Sequence, residues 1–312
     1  MFGLCTFLQT YRMLHFAEAG ERLPPPEQWT AGQRTKALLF GIRIPKPHDD
    51  RVPLDFGLAC RAATVKSRDG LALAVWLLPA PDPRGTVLLF HGYTSCKANL
   101  LPEAVVLHDL GWSVVLADFR GSGDSQGRTT TLGWRESWDV AAVAAWADGE
   151  HLPGPRVFYG VSMGAAAILK AVGREGLAAD ALVLECPYDR LITTVRHRFE
   201  MVRVPAFPSA ELMAFWGWLQ TGCRAFALNP AEYAGNVRVP VLLLHGGRDP
   251  RVYVQDARAV ADHLKGPVSF HVFPACAHQS YCRAEPEAYR RVVAQWLDGL
   301  RAPAVAKPAS AP

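Results

Sequence analysis

The chain has 312 residues, half of them hydrophobic and a fifth charged, with a net charge of +4 and a pI near 8.7. That length suits one large α/β domain or two average ones, and the mixture is that of a soluble globular protein rather than a disordered or membrane-embedded chain. Lys and Arg are scattered without forming a basic stripe, which argues against a nucleic-acid partner.

The N-terminal stretch MFGLCTFLQTYRMLHF is apolar but broken by Arg12. It lacks the basic start and small-residue cleavage site of a signal peptide and is too short to span a bilayer. We expect it to pack on the domain, with peripheral contact at a membrane surface as the alternative. The default location is cytoplasmic. Residues 1–57 read as an irregular lead-in, rich in Pro and Gly between 20 and 57. The seven cysteines are odd in number and contain no C-x-x-C pair, so free thiols are expected. Cys276 and Cys282 flank a histidine, but ligands at zinc-like spacing are missing, and no metal is expected.

From 58 to 300 strands and helices alternate. Stretches 62–67 and 71–78 bracket the turn Arg68-Asp69-Gly70, the sign of an antiparallel pair. Short apolar runs follow at 86–90, 114–117, 156–159, 181–185, 239–244 and 268–273, suited to strands buried on both faces. Helical patterns near 98–110, 134–148, 163–173, 254–264 and 286–300 lie between them. This rhythm predicts an α/β fold with a mostly parallel central sheet, helices on both faces and an antiparallel start. The interval 187–236 breaks the rhythm and has the length of a lid or cap insertion. Residues 301–312 read as a disordered tail.

The stretch YGVSMGAAA places Ser162 in G-x-S-x-G, between a strand ending and a helix of small residues. Such a serine sits at the carboxyl edge of the sheet, where open α/β sheets bind ligands. A serine nucleophile needs a base, and the base needs an acid to orient it. Asp249 follows the strand ending at Leu244 by five residues, and His278 follows the strand ending at Phe273 by five. An attacked carbonyl also needs two N–H donors. Met163, after the nucleophile, and Tyr93, in the loop of LLFHGYTS, are placed to supply them.

These stretches, with LADFRGSGDSQG at 116–127, LHGGRDPRV at 244–252 and ACAHQS at 275–280, resemble the α/β-hydrolase superfamily over roughly 60–300. They look most like its serine-hydrolase branch of lysophospholipases, carboxylesterases and proline-type peptidases. The resemblance implies the α/β-hydrolase fold, a triad of Ser162, Asp249 and His278, and an oxyanion hole of the Tyr93 and Met163 N–H groups, with no cofactor. His91 is expected to shape the oxyanion loop, and His245 to be structural. Asp189 competes with Asp249 as the acid, since some members carry it after the earlier strand.

Phe207, Phe215, Trp216 and Trp218 in the lid are candidates to contact an acyl chain or to pack the cap's own core. The expected activity is hydrolysis of a hydrophobic or lipid-like ester through an acyl-enzyme. Amide or peptide cleavage stays open. It would need carboxylates to hold a substrate amine, with Glu185, Asp189 and Glu200 as candidates. A non-catalytic binding protein on the same scaffold is the reading from another class.

Overall fold

The computed structural model of the chain describes residues 2–18 and 29–300, so the C-terminal tail and the PPP at 24–26 lie outside it. Eight strands form one sheet in the order β1-β2-β4-β3-β5-β6-β7-β8. They are β1 (Arg61–Lys66), β2 (Ala72–Leu78), β3 (Thr86–Phe90), β4 (Ser113–Ala117), β5 (Arg156–Val161), β6 (Ala181–Glu185), β7 (Val241–Gly246) and β8 (Val268–Phe273). β2 runs antiparallel to both β1 and β4; every pairing from β4 to β8 is parallel.

The apolar runs explain this arrangement. Every residue of β3, β4, β6 and β7 is buried, as strands covered on both faces must be. Side chains alternate between two cores. Leu88, Phe158 and Leu243 face one core, under helices α4 (Glu136–Gly149), α5 (Met163–Leu169) and α9 (Val254–His263). Leu89, Tyr159 and Leu242 face the other, under α3 (Leu101–Asp109) and α11 (Pro286–Gly299). Truncating one such buried leucine to alanine costs about 2–5 kcal/mol. β8, at the open edge, is only half covered.

The 187–236 insertion is helical, with α6 (Leu191–Met201), α7 (Ser209–Thr221) and α8 (Pro230–Ala234). The lead-in is not irregular throughout. Phe2–Leu14 forms α1 and Ala31–Phe40 forms α2, the latter opened by a capping box between Thr30 and Gln33. Helix α1 packs along α7. Phe7 meets Trp216 edge-on at 5.4 Å, and the Trp216 indole N–H donates to Thr6 Oγ1 at 3.1 Å. The apolar N-terminus therefore joins the cap. Among the described residues no helix is long and apolar enough to cross a membrane.

Candidate active site

Ser162 closes β5 with φ 50° and ψ −106°, a backbone conformation that a non-glycine residue adopts only when its surroundings enforce it. Its N–H donates to the Glu185 carbonyl at the end of β6 (2.8 Å). The flanking glycines allow the sharp turn into α5. A Cβ on Gly160 would lie 2.5 Å from the Ala165 nitrogen, and one on Gly164 would lie 2.3 Å from the Phe90 carbonyl oxygen.

Asp249 and His278 lie beyond the next strands but one and two. The His278 ring Nδ1 is 2.6 Å from Asp249 Oδ2. Asp249 Oδ1 accepts from the Arg251 and Val252 N–H groups at 2.8 and 3.0 Å. Burial alone would raise the Asp249 pKa. The hydrogen bond and charge of His278, helped by these two amides, outweigh burial and hold it below the ordinary carboxylate range. An ionised Asp249 fixes the proton of His278 on Nδ1 and leaves Nε2 to accept one.

Ser162 and His278 line one cavity of about 570 Å³ together with Gly92, Tyr93 and Cys186. No hydrogen bond joins the serine hydroxyl to the histidine among the described residues. Such bonds often tighten only when substrate is bound. Asp189 does not line this cavity: its carboxylate accepts from the Arg190 N–H and from Thr193 Oγ1, at the beginning of α6.

Tyr93 and Met163 occupy the β3–α3 loop and the first turn of α5, and neither backbone N–H has a protein acceptor among the described residues. The loop is held from behind. His91 Nε2 accepts from the Phe119 N–H (3.0 Å), so its proton is on Nδ1, which donates to the Gly92 carbonyl (2.8 Å). Burial lowers its pKa and keeps it neutral. His245 donates to the Val252 carbonyl at 3.1 Å and steadies the Asp249 loop. The FRGSGDSQG loop is held by buried ion pairs, Lys97 with Asp118 (2.6 Å) and Arg120 with Asp139 (2.7 Å).

The four lid aromatics are not in the cavity. Phe207, Phe215 and Trp218 are 76%, 41% and 47% exposed on the outside of the cap, and Trp216 faces α1. The Trp216 side of α7 meets α1 rather than the serine. A second cleft, of about 160 Å³, lies beside the cavity and shares Trp29, Ile42, Ile44, Tyr93 and Arg198 with it. Its walls are mostly apolar and come from α1, α2 and α6, including Met13, Ala37, Val195 and Phe199. The Tyr93 hydroxyl donates to the Met13 carbonyl (2.7 Å) and ties the cleft to the β3–α3 loop.

Two further carboxyls reach the cavity wall, Glu185 and, from α3, Glu103. Both are fully buried. Burial first, then the charge of Glu103, pushes Glu185 up to about 8, and burial raises Glu103 too. Tyr159 donates to Glu185 at 2.5 Å, and Ser280 donates to Glu103. Glu103 carried no signal in the sequence, because only the fold brings α3 under the His278 loop.

The serine aminopeptidase (S33) family pattern matches residues 81–220, which hold the β3–α3 loop and Ser162. The chain is 30% identical to a zebrafish lysophosphatidylserine lipase, ABHD12, over 56% of its own length and 46% of that protein's. It is 24% identical to a monoacylglycerol lipase of Mycolicibacterium smegmatis, over 72% and 91% of the two chains. Among solved structures it resembles the Pyrococcus furiosus esterase PF2001, with a TM-score of 0.70, 23% identity, and coverage of 82% and 96%. The sheet order, the helices on both faces and these likenesses agree, and the chain belongs to the α/β-hydrolase superfamily.

Proposed function

We propose that the protein is a serine hydrolase of carboxylic esters with an apolar acyl group. Lipases and an esterase among its relatives and structural neighbours support ester hydrolysis as the general reaction. The observation that carries the finer reading is the Asp249–His278 hydrogen bond, set on the same cavity as a serine held at a strained elbow.

In this mechanism His278 Nε2 takes the proton of Ser162 as its oxygen attacks the ester carbonyl. Asp249 orients the ring and stabilises the imidazolium. The unpaired Tyr93 and Met163 N–H groups bond the oxyanion, and the α5 N-terminus adds a favourable dipole. His278 then protonates the departing alcohol, and water resolves the acyl-enzyme by the same path. The cleft behind Tyr93 takes the acyl chain, because its apolar walls gain from covering it.

The carboxyls on the cavity wall favour ester over aminoacyl substrates. Holding a substrate ammonium takes fixed negative charge, and Glu185 with a pKa of about 8 is mostly protonated at pH 7. Asp189 accepts from the Arg190 N–H and Thr193 Oγ1, Glu200 accepts from Tyr253, and neither lines the cavity that holds Ser162. Nitrophenyl esters of rising chain length, assayed beside aminoacyl anilides, test this. We expect turnover of esters, best at medium or long chains, and negligible anilide cleavage. Preferential anilide cleavage would overturn the ester reading.

A further inference from the structure

The loops beyond four neighbouring parallel strands, β5 to β8, carry Ser162, Cys186, Asp249 and His278 in that order. Acyl transfer uses three of them and leaves Cys186 without a task. Cys186 is buried at the end of β6, has a φ of 42° and donates its N–H to the Leu244 carbonyl of β7 (2.8 Å). Its position brings Sγ to the catalytic pair. One ligand atom each of Cys186, Asp249 and His278 lies within 4.8 Å of the other two. Cys186 and His278 both border the cavity, from which water can reach them.

We propose that Cys186, Asp249 and His278 form an inhibitory site for a borderline-soft divalent cation, zinc being the best match. Thiolate, imidazole and carboxylate are its preferred ligands, and a cavity water supplies the fourth. Tetrahedral zinc sets its ligands on the order of 3.5 Å apart. The three atoms lie within 4.8 Å of one another, and the 2.6 Å Asp249–His278 contact opens by about 1 Å as the ion replaces the proton between them. The thiol loses its proton to solvent, the imidazole proton moves from Nδ1 to Nε2, and no electron is transferred. With Nε2 protonated, His278 cannot accept the proton of Ser162. Inhibition rests on the triad reading above; binding of the ion does not.

Two titrations test the site. In the first, chelator-buffered Zn²⁺ is added to ester hydrolysis by wild type and by Cys186→Ser, with Cys186→Ala as a second variant should the first fold poorly. We expect inhibition reversed by EDTA, with the inhibitory concentration raised roughly 30-fold or more by losing the thiolate. Magnesium, a hard ion, should not inhibit in the same range. In the second, Co²⁺ is added to Ser162→Ala with and without Cys186→Ser, so that binding is read without turnover. A thiolate-to-cobalt absorption band that requires Cys186 supports the site. Equal zinc sensitivity in wild type and both cysteine variants, equal inhibition by magnesium, or no Cys186-dependent band overturns it. If Ser162→Ala leaves turnover intact while the band persists, the triad reading falls and the metal site stands.

Discussion

The carboxyl edge of the sheet and the helical cap are built from different interactions. At the edge, each candidate catalytic group ends or follows a strand of the sheet, two of the three strands being largely buried, and hydrogen bonds to neighbouring loops fix it. Ser162 N–H bonds Glu185, and Asp249 bonds His278, Arg251 and Val252. The cap leans on apolar contact and a few long-range ties. His197 stacks on Tyr253 at 3.9 Å, the Tyr253 hydroxyl donates to Glu200, and Arg135 donates to the Thr221 carbonyl. Chemistry requires the first kind of construction, since small misplacements of reacting groups cost rate steeply. Substrate choice tolerates the second, because a cleft wall can be remodelled without touching the proton path.

The largest expected effect comes from the edge. Ser162→Ala should lower ester kcat by roughly 10⁴-fold or more with the fold intact by circular dichroism. Asp249→Asn should cost about 10⁴-fold in kcat, by loss of the correct imidazole tautomer. Asp189→Asn, which only touches the start of α6, should cost little, and the reverse ranking would move the acid to the earlier loop.

Effects at the cleft beneath the cap should be smaller and should depend on chain length. Ile42 lies where cavity and cleft meet. Ile42→Trp should reduce kcat/KM for long acyl esters about 10-fold relative to acetyl esters, within the range for crowding an apolar pocket. A uniform loss at all lengths would show that the cleft is not the acyl site.

Glu185 yields a stability prediction with a definite sign. Its folded pKa of about 8 lies above the ordinary value of 4.5. Between those values the unfolded chain has released this proton and the folded chain has kept it, so stability falls as pH rises through that window. Glu185→Gln should flatten that fall and raise the midpoint of thermal unfolding at pH 8 more than at pH 4. Asp249 acts oppositely: its depressed pKa contributes stability present above the unfolded value near 3.8 and lost as pH falls through the folded one. The smallest effect belongs to the outer face of the cap. Phe215→Ser with Trp218→Ser should leave turnover of short soluble esters unchanged and stability within about 0.5 kcal/mol per site, since both rings are exposed and outside the cavity.

The same contrast explains what could be read from residues alone. Buried parallel strands need continuous apolar runs, and a nucleophile elbow needs glycines at two sites of close approach, so both leave local marks. That Asp249 and His278 come together was legible because each follows a strand by a fixed distance. The apolar cleft was not legible, because its walls join α1 and α2 to α6 and the pairing of distant helices has no local signature. The Thr30–Gln33 capping box was a sign of α2 that composition obscured, since the surrounding prolines and glycines suggested an irregular segment. The lid aromatics left two readings open for a related reason. Aromatic content in an insertion marks a helix with an apolar face but not which way that face turns. Cys186 reaches Asp249 and His278 only through the adjacency of β6 and β7, which strand order, not spacing, determines.

Labelling with a fluorophosphonate, followed by intact mass and peptide mapping, tests the central claim most directly. Phosphonylation needs an activated serine beside an oxyanion hole. The account predicts one adduct per chain, on Ser162, lost in Ser162→Ala and slowed by orders of magnitude in Asp249→Asn. No adduct under conditions that label a known serine esterase, or an adduct that maps to another residue and persists in Ser162→Ala, would contradict it.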